Sequence, residues 1–217
     1  MTDYTTRRTM MVDTQVRPSD VTRFPIIDAM LRVPREEFVP DALREAAYVG
    51  ENLDLGNGRI LLEPRTLAKM LELADVQPGF VALDIGCGLG YSTAILASLC
   101  DFVVGLEDDE GRAEEAQSLL SGHGVDNAAV MSGPLAEGAA KSGPYDLVMI
   151  QGAVEQMPDA LLSQLREGGR IVCIFAEGAL GVVRVGHKMD GQVNWRFGFN
   201  AGAPVMDGFQ RPAVFAF

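Results

Sequence analysis

At 217 residues, with 47% hydrophobic and 22% charged side chains, the chain is long enough to bury one substantial core, and a single domain spanning 1–217 is expected. A formal net charge of −12 speaks against a nucleic-acid partner, because phosphate backbones require a clustered basic surface. No window approaches the roughly 18 uninterrupted apolar residues of a membrane span, and the leading Met-Thr-Asp-Tyr-Thr-Thr-Arg-Arg contains no apolar signal core, so a cytoplasmic protein is expected.

In chain order, helical patterns are expected over 20–31 and 35–38, then a Gly-rich loop over 55–58 and a helix over 65–73. From about Glu72 onward strand and helix signals alternate: strand 81–85, helix 91–99, strand 102–106, helix 110–121, strands 128–131 and 147–150, helix 158–165, strand 170–175. Short apolar runs bracketed by Gly, Pro or Asp are the mark of a parallel sheet covered on both faces, so the expected fold is a doubly wound, mostly parallel α/β sheet. The final segment changes character, with strands expected over 180–185, 193–199 and 213–217 and an Asp190-Gly191 hairpin turn. Within the domain, residues 1–75 read as an N-terminal helical and substrate-loop segment, 76–175 as a cofactor-binding core and 176–217 as C-terminal strands. Cys87, Cys100 and Cys173 lack metal-ligand spacing and sit among apolar neighbours, so reduced core thiols and no metal are expected.

The richest stretch is Val81-Ala-Leu-Asp-Ile-Gly-Cys-Gly-Leu-Gly-Tyr91, an apolar strand entering a helix through Gly86-x-Gly88-x-Gly90. Glycines let a backbone approach a ligand that a Cβ would hold off, and the helix would present its N-terminal amides to that ligand. A dinucleotide turn reads G-x-G-x-x-G. The spacing here, with Asp84 two residues ahead, resembles the nucleoside-binding turn of class I methyltransferases. Glu107 ends the next apolar run, where a carboxylate can accept both hydroxyls of a ribose. His123, in a helix-ending Gly-His-Gly, and His187, ahead of a hairpin, fall away from the ligand edge and read as structural or exposed.

The N-terminal segment names a family. Met11-Val-Asp-Thr-Gln-Val-Arg17, Ile27-Asp-Ala-Met-Leu-Arg-Val-Pro-Arg-Glu-Glu-Phe-Val-Pro40 and Ala47-Tyr48 resemble the start of the protein-L-isoaspartate (D-aspartate) O-methyltransferases. The resemblance continues through Ala68-Lys-Met-Leu-Glu-Leu73 and Leu161-Leu-Ser-Gln-Leu-Arg-Glu-Gly-Gly-Arg170. It implies a Rossmann-like fold, S-adenosylmethionine as cofactor, and methyl transfer to isoaspartyl carboxylates of damaged proteins. It further implies cofactor contacts from Asp84, Gly86, Cys87, Gly88, Gly90, Glu107, Asp108, Pro134 and Leu135, with Arg59 and Leu62 in the substrate loop.

Two departures stand out. The family's substrate loop reads approximately Gly-Gln-Thr-Ile-Ser-Gln-Pro, whereas this chain has Gly58-Arg-Ile-Leu-Leu-Glu-Pro64, replacing the two hydroxyls with Ile60 and Leu62 and the first glutamine with Arg59. Arg59 reads either as a forked carboxylate clamp or as an exposed loop residue. The family's acid after the third core strand, which accepts from adenine, is Pro134 here, leaving backbone carbonyls and Leu135 to meet the base. Gln151-Gly-Ala-Val-Glu155 stands where the family has Thr-Ala-Ala, and Glu155 reads as a substrate-mouth residue or a solvated acid. The leading reading is a monomeric isoaspartyl carboxyl methyltransferase acting on a protein or peptide substrate. The alternatives are a methyltransferase of the same fold with another acceptor and a non-catalytic cofactor-binding or adaptor module.

Overall fold

Short runs of Val, Ile and Leu that are apolar on both sides can only be satisfied inside a covered sheet. The computed structural model, which describes residues 3–178 and 180–212, gathers them into one seven-stranded sheet. The chain enters through α1 (Tyr4–Met11), N-capped by Asp3 accepting from the Thr6 amide, then a π-helical turn at Val12–Val16 and a 3-10 turn at Arg17–Ser19. The helix expected over 20–31 starts later, as α2 (Phe24–Arg32), because Asp20 sits left-handed at φ 61° and Pro25 occupies the first helical turn. Arg35–Phe38 and Asp41–Ala46 form 3-10 turns.

The Gly-rich stretch expected to be a loop is the tip of an antiparallel hairpin, β1 (Leu53–Gly56) and β2 (Arg59–Leu61). Gly56, Asn57 and Gly58 take φ of 82°, 52° and 73°, a left-handed run that glycine and asparagine tolerate and that reverses the chain sharply. After α3 (Pro64–Ala74) come β3 (Val81–Ile85), α4 (Tyr91–Ala97), β4 (Phe102–Glu107), α5 (Glu110–Gly122) and β5 (Ala128–Ser132). Then follow β6 (Tyr145–Val154), α6 (Asp159–Ser163), β7 (Leu165–Glu177), β8 (Leu180–Met189) and β9 (Gln192–Asn200).

The strand order is β5-β4-β3-β6-β7-β8-β9, with β3 to β7 mutually parallel and β8 and β9 added as an antiparallel meander. The parallel part has the 3-2-1-4-5 order of a doubly wound fold, and its direction of winding reverses between β3 and β6, where such sheets bind ligands. Strand β6 runs past its expected end at Ile150 to Val154 because residues beyond β9 return to it. Ala153 bridges Val205, and its amide donates to the Pro204 carbonyl while its carbonyl accepts from the Met206 amide. The strand expected over 213–217 lies outside the described residues. Buried Cys87, Cys100 and Cys173 are unpaired, as expected. Among the described residues no helix is long and apolar enough to cross a membrane.

One buried cation connects the N-terminal segment to the hairpin. Arg35 is fully buried, donates from Nε to the Ala47 carbonyl at 2.6 Å and from a terminal nitrogen to the Leu62 carbonyl at 2.8 Å, and lies 4.9 Å above the Tyr91 ring. Burial pulls its pKa below the ordinary arginine value, and the carbonyls and the ring face supply what compensation the guanidinium receives. It holds the link between β2 and α3 against the core. Replacing Arg35 with Met keeps most of the volume but strands both carbonyls, so Arg35→Met should lose about 1–3 kcal/mol, read by urea unfolding.

Candidate active site

The strand-turn-helix from β3 to α4 forms as its glycine spacing requires. Gly86, Gly88 and Gly90 take φ of 72°, 58° and 95°, a backbone that L side chains rarely adopt. Four amides of this turn are engaged within the chain. Those of Gly86 and Cys87 donate to the Leu106 carbonyl at 2.8 and 3.3 Å, that of Gly88 to Glu107 Oε2 at 3.0 Å, and that of Gly90 to the Cys87 carbonyl at 2.9 Å.

Asp84 is likewise turned inward. Its Oδ2 accepts from Ser92 Oγ at 2.6 Å and Thr93 Oγ1 at 2.7 Å, and its Oδ1 from Gln151 Nε2 at 2.6 Å. Burial raises its pKa while these three donors pull it back. The residue expected to touch cofactor therefore ties β3, α4 and β6 together and fixes the glycine turn. Cys87 is buried beside it, its thiol held well above the ordinary value by burial and by the Asp84 and Glu107 charges, and it is no nucleophile.

Glu107, at the end of β4, is 0% exposed. Its Oε1 accepts from Arg59 Nε at 2.8 Å and from the Asp108 amide at 3.0 Å, and Arg112 stands 3.6 Å away. Arg59 is itself only 2% exposed and its second arm reaches Asp108 Oδ2 at 2.7 Å. Arg59 is thus not an exposed loop residue, and its guanidinium is divided between the Glu107 and Asp108 carboxylates. Burial pushes the Glu107 carboxyl up, with Asp108 adding to the effect and Arg59 opposing it. In Asp108, partial burial is outweighed by the Glu107 hydrogen bond and the Arg59 charge, which hold it below the usual carboxylate range.

The space above the turn is also filled. A β-carbon on Gly86 would lie 3.2 Å from Met206 Sδ and Cε, and one on Gly88 would lie 2.9 Å from Leu55 Cδ1. Two cavities adjoin the cluster. One of about 480 Å³ is bordered by Leu55, Leu89 and Arg112, the other, of about 280 Å³, by Leu106, Gly133, Pro134 and Lys141. Pro134 thus borders open space at the expected adenine end, while Leu135 is buried in the core. The glycine turn and the Glu107 carboxylate have the make-up of a nucleoside cradle, and Arg59, Met206 and Leu55 lie against them in this structure.

Comparison with known proteins settles the lineage. Residues 7–197 match the model of the protein-L-isoaspartate(D-aspartate) O-methyltransferases. The chain belongs to this family. A protein-L-isoaspartate O-methyltransferase of Koribacter versatilis is 33% identical over 89% of this chain and 87% of its own length, and one of Vibrio campbellii is 37% identical over 70% and 73%. Two solved structures share the fold. A protein-L-isoaspartate O-methyltransferase superposes with a TM-score of 0.79 at 22% identity, covering 94% of this chain and 66% of that one. A Plasmodium falciparum structure described as that of a related methyltransferase in complex with S-adenosyl-L-homocysteine gives 0.78 at 18%, covering 94% and 98%. S-adenosylmethionine is the cofactor that the family and its fold imply, and methylation of isoaspartyl carboxylates is its reaction.

Within this family member, the residues expected at the cofactor gather at the carboxyl edge of β3, β4 and β5, but Leu62 does not join them. Its side chain is 1% exposed in the core cluster beside α3, and only its carbonyl is used, by Arg35. His123 packs 5.3 Å from Phe38, and His187 lies on β8, both remote from the edge as expected. Glu155 is partly buried and accepts from the Arg211 amide. The roles of Ser92, Thr93, Arg112 and Met206 escaped the sequence reading, and Leu55 was read only as part of a loop; Gln151, expected after the strand 147–150, lies within β6 and donates to Asp84.

Removing the carboxylate of Glu107 would leave a buried guanidinium with only Asp108. Glu107→Ala should cost about 3–5 kcal/mol, and adding Arg59→Met to Glu107→Ala should recover much of that loss in a double-mutant cycle. Additive losses, measured by urea denaturation, would show that the two side chains do not act as a pair.

Proposed function

We propose that this chain is a cytoplasmic, monomeric carboxyl O-methyltransferase that uses S-adenosylmethionine to methylate isoaspartyl residues of damaged proteins, working as one domain. The observation that supports it most is the Glu107 carboxylate at the end of β4, held 3.0 Å from the Gly88 amide of a left-handed glycine turn. The cofactor supplies an activated methyl group. An isoaspartyl carboxylate is already ionised at neutral pH, so the protein needs no general base and contributes position and exclusion of water. Asp84, through Ser92, Thr93 and Gln151, would keep the turn rigid, and Pro134 and the neighbouring backbone would border the base.

Two positions weaken the acceptor side. Ile60 is partly buried on β2 and Leu62 is packed in the core, so neither supplies a donor to an incoming carboxylate. Loss of two such donors, each contributing about 1.5–3 kcal/mol to a charged acceptor, predicts slow turnover. Restoring Leu62→Ser is no remedy, since it empties a packed site and should lower stability by about 3 kcal/mol or more without raising the rate.

The test is methyl incorporation from labelled S-adenosylmethionine into an isoaspartyl peptide and its aspartyl twin, followed as methanol released from the labile ester. Slow incorporation confined to the isoaspartyl peptide is expected, and it should vanish in Gly88→Val, where a branched side chain meets both the strained φ and Leu55. Cofactor binding without transfer to either peptide would mean a different acceptor.

A further inference from the structure

The two elements that fill the cradle come from opposite ends of the chain and are joined to each other. The β1–β2 hairpin brings Leu55 over Gly88 and Arg59 onto Glu107, and its tip is held by Arg112, which donates to the Gly56 carbonyl at 3.3 Å. The return segment after β9 brings Met206 over Gly86, and the same thioether side chain crowds the position a β-carbon of Gly152 would take. Asn52 joins them: its Oδ1 accepts from the Glu63 amide at 2.8 Å, closing the base of the hairpin, and its Nδ2 donates to the Gly202 carbonyl at 2.8 Å. Phe209, fully buried on the same side of the sheet as Leu106 and Leu135, anchors the return segment.

We propose that the hairpin and the return segment form an intramolecular cover that competes with S-adenosylmethionine, Arg59 standing where the ribose hydroxyls would meet Glu107 and Met206 lying over the glycine turn. The proposal rests on the cofactor reading given above. The guanidinium can take the place of the ribose in chemical terms: a carboxylate accepts two donors from a vicinal diol or from the adjacent nitrogens of an arginine, and here one oxygen takes Nε while the second arm is drawn to Asp108. A cofactor that binds must first separate a buried ion pair, and the same charge that closes the site lowers its apparent affinity. Leu55 and Arg59 sit on one short hairpin, so a single outward movement of that hairpin removes both.

Titration calorimetry of the purified full-length chain with S-adenosylhomocysteine tests this on the wild type, Arg59→Gln, Met206→Ala and the double variant. Arg59→Gln and Met206→Ala are each expected to tighten binding at least tenfold, the double variant more than either, with Arg59→Lys staying close to the wild type. Thermal melting supplies an independent readout: unliganded Arg59→Gln should melt below the wild type and gain more on adding ligand, because the diol satisfies the carboxylate that the substitution exposed. If Arg59→Gln does not fold, Met206→Ala leaves the ion pair intact and carries the test alone. A wild type that binds as tightly as the variants overturns the cover while leaving the cofactor reading standing. Binding by none of the four proteins overturns both.

Discussion

A carboxylate removed from water must be given donors, and the requirements of Glu107 organise this end of the molecule. The Gly88 and Asp108 amides and Arg59 Nε meet them from the glycine turn, the start of the β4–α5 connection and the hairpin, with the Arg112 charge of α5 3.6 Å away. Each donor fixes the element that carries it. Breaking a buried pair leaves an uncompensated charge costing about 3–5 kcal/mol, so the Arg59–Glu107 pair resists separation of the hairpin from the sheet, beside the buried Leu53 and Leu61 at its base. Asp84 plays the corresponding part on the other side of the turn, with three side-chain donors.

The parallel core was legible because its signals are local. Strands β3, β4 and β5 and helices α4 and α5 follow from apolar runs punctuated by Gly, Pro and Asp, and the carboxyl edge follows from their direction. Where the reading slipped, distant contacts decided the outcome. The extension of β6 to Val154 depends on Pro204 and Met206 returning to pair with Ala153, a contact across half the core that no periodicity announces. The hairpin at 53–61 was hidden because its strands are short and its tip is mostly glycine, a composition that reads as loop until the register Leu53 to Leu61 closes it.

The same distinction separates what could and could not be read of the site. Spacing put Asp84 and Glu107 at strand ends without saying which groups of the chain satisfy their oxygens. Asp84 became a buried anchor only because Ser92, Thr93 and Gln151 converge on it. Arg59 could be named as a carboxylate clamp from its chemistry, yet nothing in the sequence says that the carboxylate is the protein's own. Leu62 illustrates the reverse: a position defined by the family's hydroxyl has become a core residue, and Arg35 now uses only its backbone carbonyl.

These changes share a physical consequence. Ile60 and Leu62 in the loop, Arg59 on Glu107 and Met206 across the turn are all groups satisfied within the chain, where polar groups could otherwise wait for a ligand. A site that waits is a destabilised site, with unpaired donors and open apolar surface that ligand binding later covers. A site that satisfies itself gains stability, and every interaction gained must be given up again before a ligand can enter. The affinity of this cradle is therefore set by the difference between its own contacts and those a nucleoside offers in exchange, so the glycine turn alone, although intact, does not determine how tightly it binds.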